Sequence, residues 1–495
     1  METISIRRVY LSAHPGRRDT AEGEPVSQIK IKQKRKKKEA KVLQLPVIRE
    51  DAAGIDIGAT LIHVAVGPGR DEEPVRTFET FTRDLKAIAV WLRTAGVKTV
   101  AMESTGVYWI PLYELLESEG FKVLLVNAHH VKHVPGRKTD VSDAQWLQYL
   151  HSVGLLQGSF RPTEDICAIR SLGRHRESLV QTSSQCIQMM QKALTQMNLQ
   201  LHNVISDITG ASGMRILQAI LDGERDTEHL ESLCDKGIKA KPEVIMGSLE
   251  GNYRSELLFI LGQNLKRYKD LQSLIGDCEK EVGRLIDAAP AKVNLADKPL
   301  PPATKRGSKR SASAPPCLPD LREKQYRMLG VDLTQVPGIN TQTVQDFIGE
   351  VGPDLSRFRS ASAFSSWITV CPHNKISGGK KLHSKTRKSK SRAAKAFRLA
   401  AQSLAHSDEA LGEFYRRMRG KFGPPKAITA TAHKLARIVF HMVTTAEPYD
   451  ASVFTRAQEK HRLHQENRLR ANARKLGFQL IPIQLPSDNQ GVVVP

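Results

Sequence analysis

Apolar positions along the chain fall into distinct textures, and each texture predicts a different kind of element. Between 52 and 127, short apolar runs alternate with amphipathic stretches. AGIDIGATLIHVAVGPG reads as a strand, a tight Gly-Ala-Thr turn and a second strand, and PVRTFET as a third. TRDLKAIAVWLRTAG has helical spacing, VKTVAMEST reads as a buried strand, YWIPLYELLESEG as a helix and FKVLLVNA as another buried strand. A further helix is expected from the aspartates at 140 and 143 through Leu150. Three early strands followed by alternating helices and strands predict an α/β domain on a mixed sheet. That order is the ribonuclease H-like, or RuvC-like, pattern.

The region 165–290 is long and helical. Val180, Ser183, Ile187, Met190, Leu194, Met197, Leu201 and Val204 alternate spacings of three and four, which is a heptad seam. Leu261, Leu265, Tyr268, Leu271, Ile275, Cys278, Val282 and Leu285 form a second stripe of the same kind. Two such helices can pair as a hairpin within one chain or zip two chains together as a coiled coil. The spacing fits both. Beyond them, 290–320 is rich in Pro, Ser and Lys and reads as a linker.

The predicted organisation is therefore a disordered basic arm at 1–48, a ribonuclease H-like domain at 49–160 and a coiled-coil helical region at 161–289. The linker at 290–320 leads to a mainly helical C-terminal domain at 321–450, and a basic helix and tail occupy 451–495. At about 150 residues per domain, the length of 495 suits such a division.

Charge adds the first functional constraint. Lys and Arg outnumber Asp and Glu by 74 to 52, a formal net charge of +22. Such an excess favours a polyanionic partner, nucleic acid foremost. KIKQKRKKKEAK at 30–41 packs eight cations into twelve residues, a composition that stays extended and binds phosphates by counterion release. No apolar run approaches membrane-spanning length, and the N-terminus lacks the apolar core of a signal peptide. Six scattered cysteines without a CxxC pair suit a reducing, cytoplasmic setting and indicate no zinc site. Aromatic residues are only 5%, which argues against base stacking as the main binding mode.

Four acids then stand out. Asp56, in GIDIG, lies in the first strand just before a turn glycine; by itself it could simply close a hairpin. Glu103, in VAMESTG, ends a buried strand, where a solitary charge is ordinary. Asp140 and Asp143, in GRKTDVSDAQWL, share one helical face. As a helix start they could serve only as capping residues favoured by the helix dipole. Taken together, Asp, Glu, Asp and Asp each fall where a strand ends or a helix begins. That set suits Mg²⁺, or Mn²⁺ in its place, acting on a phosphodiester. Arg137 and Lys138 would then be phosphate contacts. His129, His130 and His133 have no ligand partners at suitable spacing and read as surface or phosphate-contact residues.

Downstream, LTQVPGINTQTVQDFIGEVG has the outline of a helix-hairpin-helix, with Gly338 in a turn able to offer backbone N–H groups to a phosphate. Ser377 precedes Gly378 and Gly379, which permit close backbone approach. Lys380, Lys381, Lys385, Arg387 and Arg392 form the cationic run that follows.

GIDIG, MESTGVYW, LLVNAHHVKHVPGRKTDVSDA and ISGGK resemble the DEDD transposases of bacterial insertion sequences, in the insertion-sequence one-ten family, some of whose members are bridge-RNA-guided recombinases. The resemblance covers roughly 52–160 and 330–410. It implies that Ser377 is the nucleophile that bonds covalently to DNA, and that Asp56, Glu103, Asp140 and Asp143 assist it with magnesium. It also implies element-end and target DNA as partners, a guide RNA, and a dimer or tetramer, in the nucleoid of a bacterial cytoplasm; the two halves of the site are far enough apart in sequence to meet either within one chain or in trans. The chain departs from the pattern at Lys388, Ser389, Lys390 and Ser391, and the basic arm and Pro-rich linker look like additions.

Three competing readings differ in what they require. An actin-like or sugar-kinase-like ATPase needs a second DxG hairpin, but Asp332 is followed by Leu333 and Thr334. A RuvC-like junction nuclease needs the acids but neither Ser377 nor the second domain. An inactive relative would bind nucleic acid alone.

Overall fold

A computed structural model describes residues 45–479 apart from 105, 128–142, 304–314, 388, 390 and 453–454. The basic arm up to residue 44 and the tail from 480 lie outside the described residues. The chain divides after Phe160 into two compact units.

The first unit is built on five strands: β1 (Ala52–Ile57), β2 (Leu61–Ala65), β3 (Val75–Glu79), β4 (Thr99–Glu103) and β5 (Lys122–Val126). Their order is β3-β2-β1-β4-β5. β1 runs antiparallel to β2 and parallel to β4, and β4 runs parallel to β5. The short link after β1 allows only a hairpin, closed by Gly58 N–H donating to the Leu61 carbonyl at 2.9 Å. Parallel pairing requires crossovers, supplied by α1 (Thr82–Thr94) and α2 (Trp109–Ser118).

Alternation along the strands sorts their residues between two faces. Ile55, Val64, Val100 and Met102 pack with Ile88, Leu92, Leu112 and Leu116 of α1 and α2. The opposite face receives α3 (Asp143–Ser152), whose Trp146, Leu147 and Leu150 cluster with Val126. α3 lies unusually close to β1 at Gly54. A Cβ there would sit 2.2 Å from Gln148 N and 2.3 Å from the Ala144 carbonyl oxygen. Only glycine permits that approach.

In the second unit, α4 (Glu164–Gln196) and α5 (Ser255–Ala288) pack side by side. They run antiparallel: Gln272 Nε2 donates to Ser183 Oγ at 2.9 Å, and Arg176 pairs with Glu279. The two apolar stripes therefore face each other within one chain. The first stripe is shorter as a helix than its spacing predicts. Asn198 adopts φ 58° and α4 stops at Gln196, so Met197 and Leu201 follow the helix, in one cluster with Met190 and Leu194 of α4, Leu261 and Leu265 of α5, and Ile216, Leu217 and Ile245 from short helices.

The opposite end of this hairpin shares a core with the rest of the unit. Ile166, Ile169, Val282 and Ile286 pack with residues of α6 (Leu321–Leu329), α7 (Thr341–Val351), α8 (Ala361–Trp367) and α9 (Arg392–Ser403). Residues of α10 (Ala410–Phe422) and α11 (Pro424–Thr445) complete it. Phe347, Phe364 and Phe397 meet edge to face inside, a favoured aromatic geometry. A final helix, α12 (Thr455–Lys475), is polar.

The described flanks of the Pro-rich stretch are pinned rather than loose. Lys292 N–H donates to the Arg327 carbonyl at 2.8 Å, and Arg322 reaches the Pro301 carbonyl at 2.7 Å. Backbone amides and carbonyls in these flanks find partners on α6, which composition alone does not reveal. No helix among the described residues is long and apolar enough to cross a membrane.

Candidate active site

The strand register places the first two acids side by side. Ile55 of β1 pairs with Met102 of β4, and Asp56 and Glu103 are the next residue on each strand. Neighbouring strands lie about 4.8 Å apart, so the two backbones are adjacent. Ile55 and Met102 face the α1–α2 core, which turns Asp56 and Glu103 to the other face, that of α3.

α3 brings the third acid to the same end. Gln148 Nε2 donates to the Ala52 carbonyl at 3.3 Å, and His151 Nε2 lies 2.8 Å from Thr99 Oγ1. The helix C-terminus thus sits over the strand beginnings, and Asp143, its first residue, over the strand ends. Asp56, Glu103 and Asp143 share one face and one end of the sheet. Asp140, Arg137 and Lys138 lie outside the described residues, as do His129, His130 and His133.

Carboxylate oxygens are the donors that hard divalent cations take, and this unit contains no cysteine to favour a soft metal. The donor type therefore fits a magnesium-like ion. Among the described residues no three potential ligands are gathered closely enough to hold one, and the fourth acid stands in the segment before α3.

One neighbour escaped the sequence reading. His63 of β2 lies directly across from Asp56, and its Nδ1 is 3.0 Å from Thr77 Oγ1. Its only signal was the hairpin register, which places His63 opposite Asp56 once Gly58 is taken as the turn.

In the second unit, Ser377 stands on a β-hairpin, β6 (Lys375–Ser377) and β7 (Lys380–His383). Ser377 pairs with Lys380 across a two-residue turn. Gly378 and Gly379 have φ of 54° and 73°, the positive pair a tight hairpin turn demands. Nothing lies within 4 Å of where either Cβ would be. Ser377, Gly378, Gly379 and Lys380 are exposed, and of the Lys381 side chain nothing is described.

The following cations are held differently from one another. The Lys385 carbonyl accepts from His373 N–H at 3.0 Å, so this stretch is anchored by backbone while the Lys385 side chain lines a groove. Arg387 donates to the Ser366 carbonyl at 2.9 Å. Ser391 caps α9 by accepting from Ala394 N–H at 3.2 Å. Arg392 and Lys395 bracket Glu177 of α4 at 3.2 and 2.6 Å, and the Lys395 hydrogen bond holds that carboxyl below its usual range. Lys388 and Lys390 lie outside the described residues.

The Val-Pro-Gly-Ile turn packs inward. Gly338 has φ 84°, and a Cβ there would meet the Ala400 carbonyl of α9 at 2.5 Å. It follows a short 3₁₀ turn at Leu333–Gln335, while Asn340 caps α7 through Thr343 N–H. Asp332 is buried, ion-paired with Arg322 and capping Thr334 at 3.0 Å. It serves as a structural cap.

Residues 53–199 match a family model for transposases of the DEDD, IS110 type. Residues 332–416 match a second, described as Transposase IS116/IS110/IS902 family. No curated protein matches the chain. Both matched regions are similar to transposases of the IS110 family. The first match contains all four acids and the second contains Ser377. These matches support an enzyme that acts on DNA, and the DEDD type implies use of a divalent metal ion.

Proposed function

We propose that this transposase cuts and rejoins the DNA of an insertion sequence, with Ser377 as nucleophile and Asp56, Glu103, Asp140 and Asp143 as the ligands of Mg²⁺. The observation that carries the reading is the placement of Asp56, Glu103 and Asp143 on one face and toward one end of the sheet. Ser377 Oγ forms a bond to phosphorus as the bond to a deoxyribose oxygen breaks. The serine proton leaves to water and the departing oxygen takes one up; rejoining reverses both steps. A bound divalent ion would stabilise charge on the phosphate oxygens. Arg137 and Lys138 position the backbone at the acids. Gly378, Gly379, Lys380, Lys381, Lys385, Arg387 and Arg392 serve it at the serine, whereas the inward-packed Gly338 turn is left out of the contact.

A structured RNA from the same element guides target choice, and the protein works as a dimer or tetramer whose acids and serine act in trans. The first experiment incubates the protein with junction DNA, candidate RNA and Mg²⁺ and looks for a covalent protein–DNA adduct. Adduct formation by Ser377→Ala would refute the serine assignment. Strand exchange untouched in Asp140→Asn and Asp143→Asn would remove the metal site. Loss of activity in those two variants at unchanged thermal stability separates metal binding from helix capping.

A further inference from the structure

Beside the serine hairpin the second unit opens a groove of about 1790 Å³. Small-molecule pockets run to about 300–1,000 Å³, so this one is sized for a length of polymer. Its walls come from α10, α11, the 447–450 stretch and β7. β7 contributes Leu382 and His383, and its partner strand ends in Ser377. The groove therefore borders the hairpin that carries the serine, at the end away from its turn.

Two kinds of side chain interleave there. Phe414, Phe422, Phe440 and Tyr449 supply ring surface, in a chain where aromatic residues are only 5% of the total. The low average thus conceals a local concentration. Phe422 stands 47% exposed at the rim. Lys385, Lys426, Lys434 and Arg437 supply positive charge. Two rings already hold ammonium groups: Lys434 Nζ is 4.4 Å from the centre of Phe414, and Lys421 Nζ is 5.2 Å from that of Phe422. The acids at one end are engaged locally. Glu447 pairs with His441 at 3.1 Å, and Asp450 accepts from Ser452 N–H at 2.8 Å.

Rings that accept flat faces, alternating with cations that accept phosphates, are the chemistry of unpaired nucleotides. An intact duplex keeps its base faces stacked on one another and has nothing to offer the rings. An apolar protein helix would fill the rings but leave the cations unmatched. We propose that this groove binds a single-stranded nucleic-acid segment, with bases stacked on Phe414 and Phe422 and phosphates on Lys385, Lys426 and Arg437. The inference rests on the nucleic-acid half of the proposed function and not on the serine chemistry.

The test uses the full-length protein without divalent metal, so that binding is read apart from cleavage. Fluorescein-labelled oligothymidylate, oligouridylate and a duplex of equal length are titrated at fixed salt. Stacking on an aromatic side chain predicts that Phe422→Ala weakens single-strand binding by roughly 5- to 100-fold. Duplex binding stays unchanged and Phe422→Trp restores the single-strand affinity. Lys426→Glu lowers single-strand affinity and flattens its salt dependence. The two oligomers together show whether the occupant is DNA or RNA. Photocrosslinking of 5-iodouracil strands is expected to mark Phe422 or Tyr449.

Unchanged single-strand affinity in Phe422→Ala overturns the proposal, as does an equal loss for duplex. Conversion of an oligomer to a monomer by Phe422→Ala, with oligonucleotide binding intact, assigns the groove to a protein contact and overturns it as well. Ser377→Ala is expected to bind the single strand normally, so failure of the serine chemistry and failure of the groove are read independently.

Discussion

Gly54→Ala is the smallest change that should disturb the acidic site without touching an acid. The added methyl would sit 2.2 Å from Gln148 N and 2.3 Å from the Ala144 carbonyl oxygen. Both are backbone atoms of α3, so no side chain can rotate out of the way. Ordinary contact begins near 3.4 Å; α3 must therefore lift by about 1 Å or the strand must bow by as much. Overpacking of this kind costs about 1–3 kcal/mol, and the absence of a flexible neighbour places Gly54→Ala at the upper end. Thermal or urea unfolding of the purified variant measures that cost directly. The displacement also carries Asp143 away from Asp56, and a misplacement of about 1 Å can reduce a rate about 100-fold. Adduct formation with junction DNA, measured well below the unfolding midpoint, is expected to fall by about that factor. A variant with an unchanged midpoint and unchanged adduct yield would refute the close packing of α3 on β1 and its role in placing the acids.

Glu279→Ala leaves Arg176 buried without its partner on α4 and α5; breaking a buried pair costs about 3–5 kcal/mol, read as a lowered urea midpoint. His151 is buried against Thr99, and burial first, then the charge of Arg49, brings its pKa down to about 4. The unfolded chain therefore binds a proton that the folded one refuses. Stability present above the ordinary histidine range is lost as pH falls from about 6.5 to 4, on the order of 3 kcal/mol. His151→Gln should flatten that slope in pH-dependent denaturation. Asp346 behaves in the opposite sense, because burial raises its carboxyl to about 6. Its contribution is complete below 3.8 and disappears as pH rises through 6, so Asp346→Asn should raise the melting temperature at pH 7–8 and change little near pH 3.5.

Much of the five-stranded sheet could be read from spacing. Short apolar runs marked all five strands, and three acids stand where spacing put them, Asp56 and Glu103 near strand ends and Asp143 at the start of α3. Spacing could not reveal why α3 sits where it does. A glycine within a strand ordinarily reads as a weak point, and only the fold shows the backbone pressed against Gly54. The heptad rule similarly carried the first seam past Asn198, because periodicity counts apolar positions and is blind to a left-handed residue between them. Ser377 was singled out by the resemblance that ISGGK carries, and the Gly-Gly pair after it was taken only to permit close backbone approach. The alternation of Lys-Ile-Ser and Lys-Lys-Leu-His around Gly-Gly was the available hairpin signal. The groove was illegible, since its rings come from separate elements that composition averages away.

The serine hairpin has a consequence for timing. A lone two-stranded ribbon is marginal in water, and nothing packs around its two turn glycines. Ile376 and Leu382 spend apolar surface on solvent at 65% and 69% exposure. A hydroxyl carried on such a ribbon has no fixed aim of its own. In the proposed reaction, a strand or a second subunit that clasps the ribbon removes that freedom and aims the hydroxyl. Before assembly, the proposed reaction is held off by want of orientation, with no need for an inhibitor.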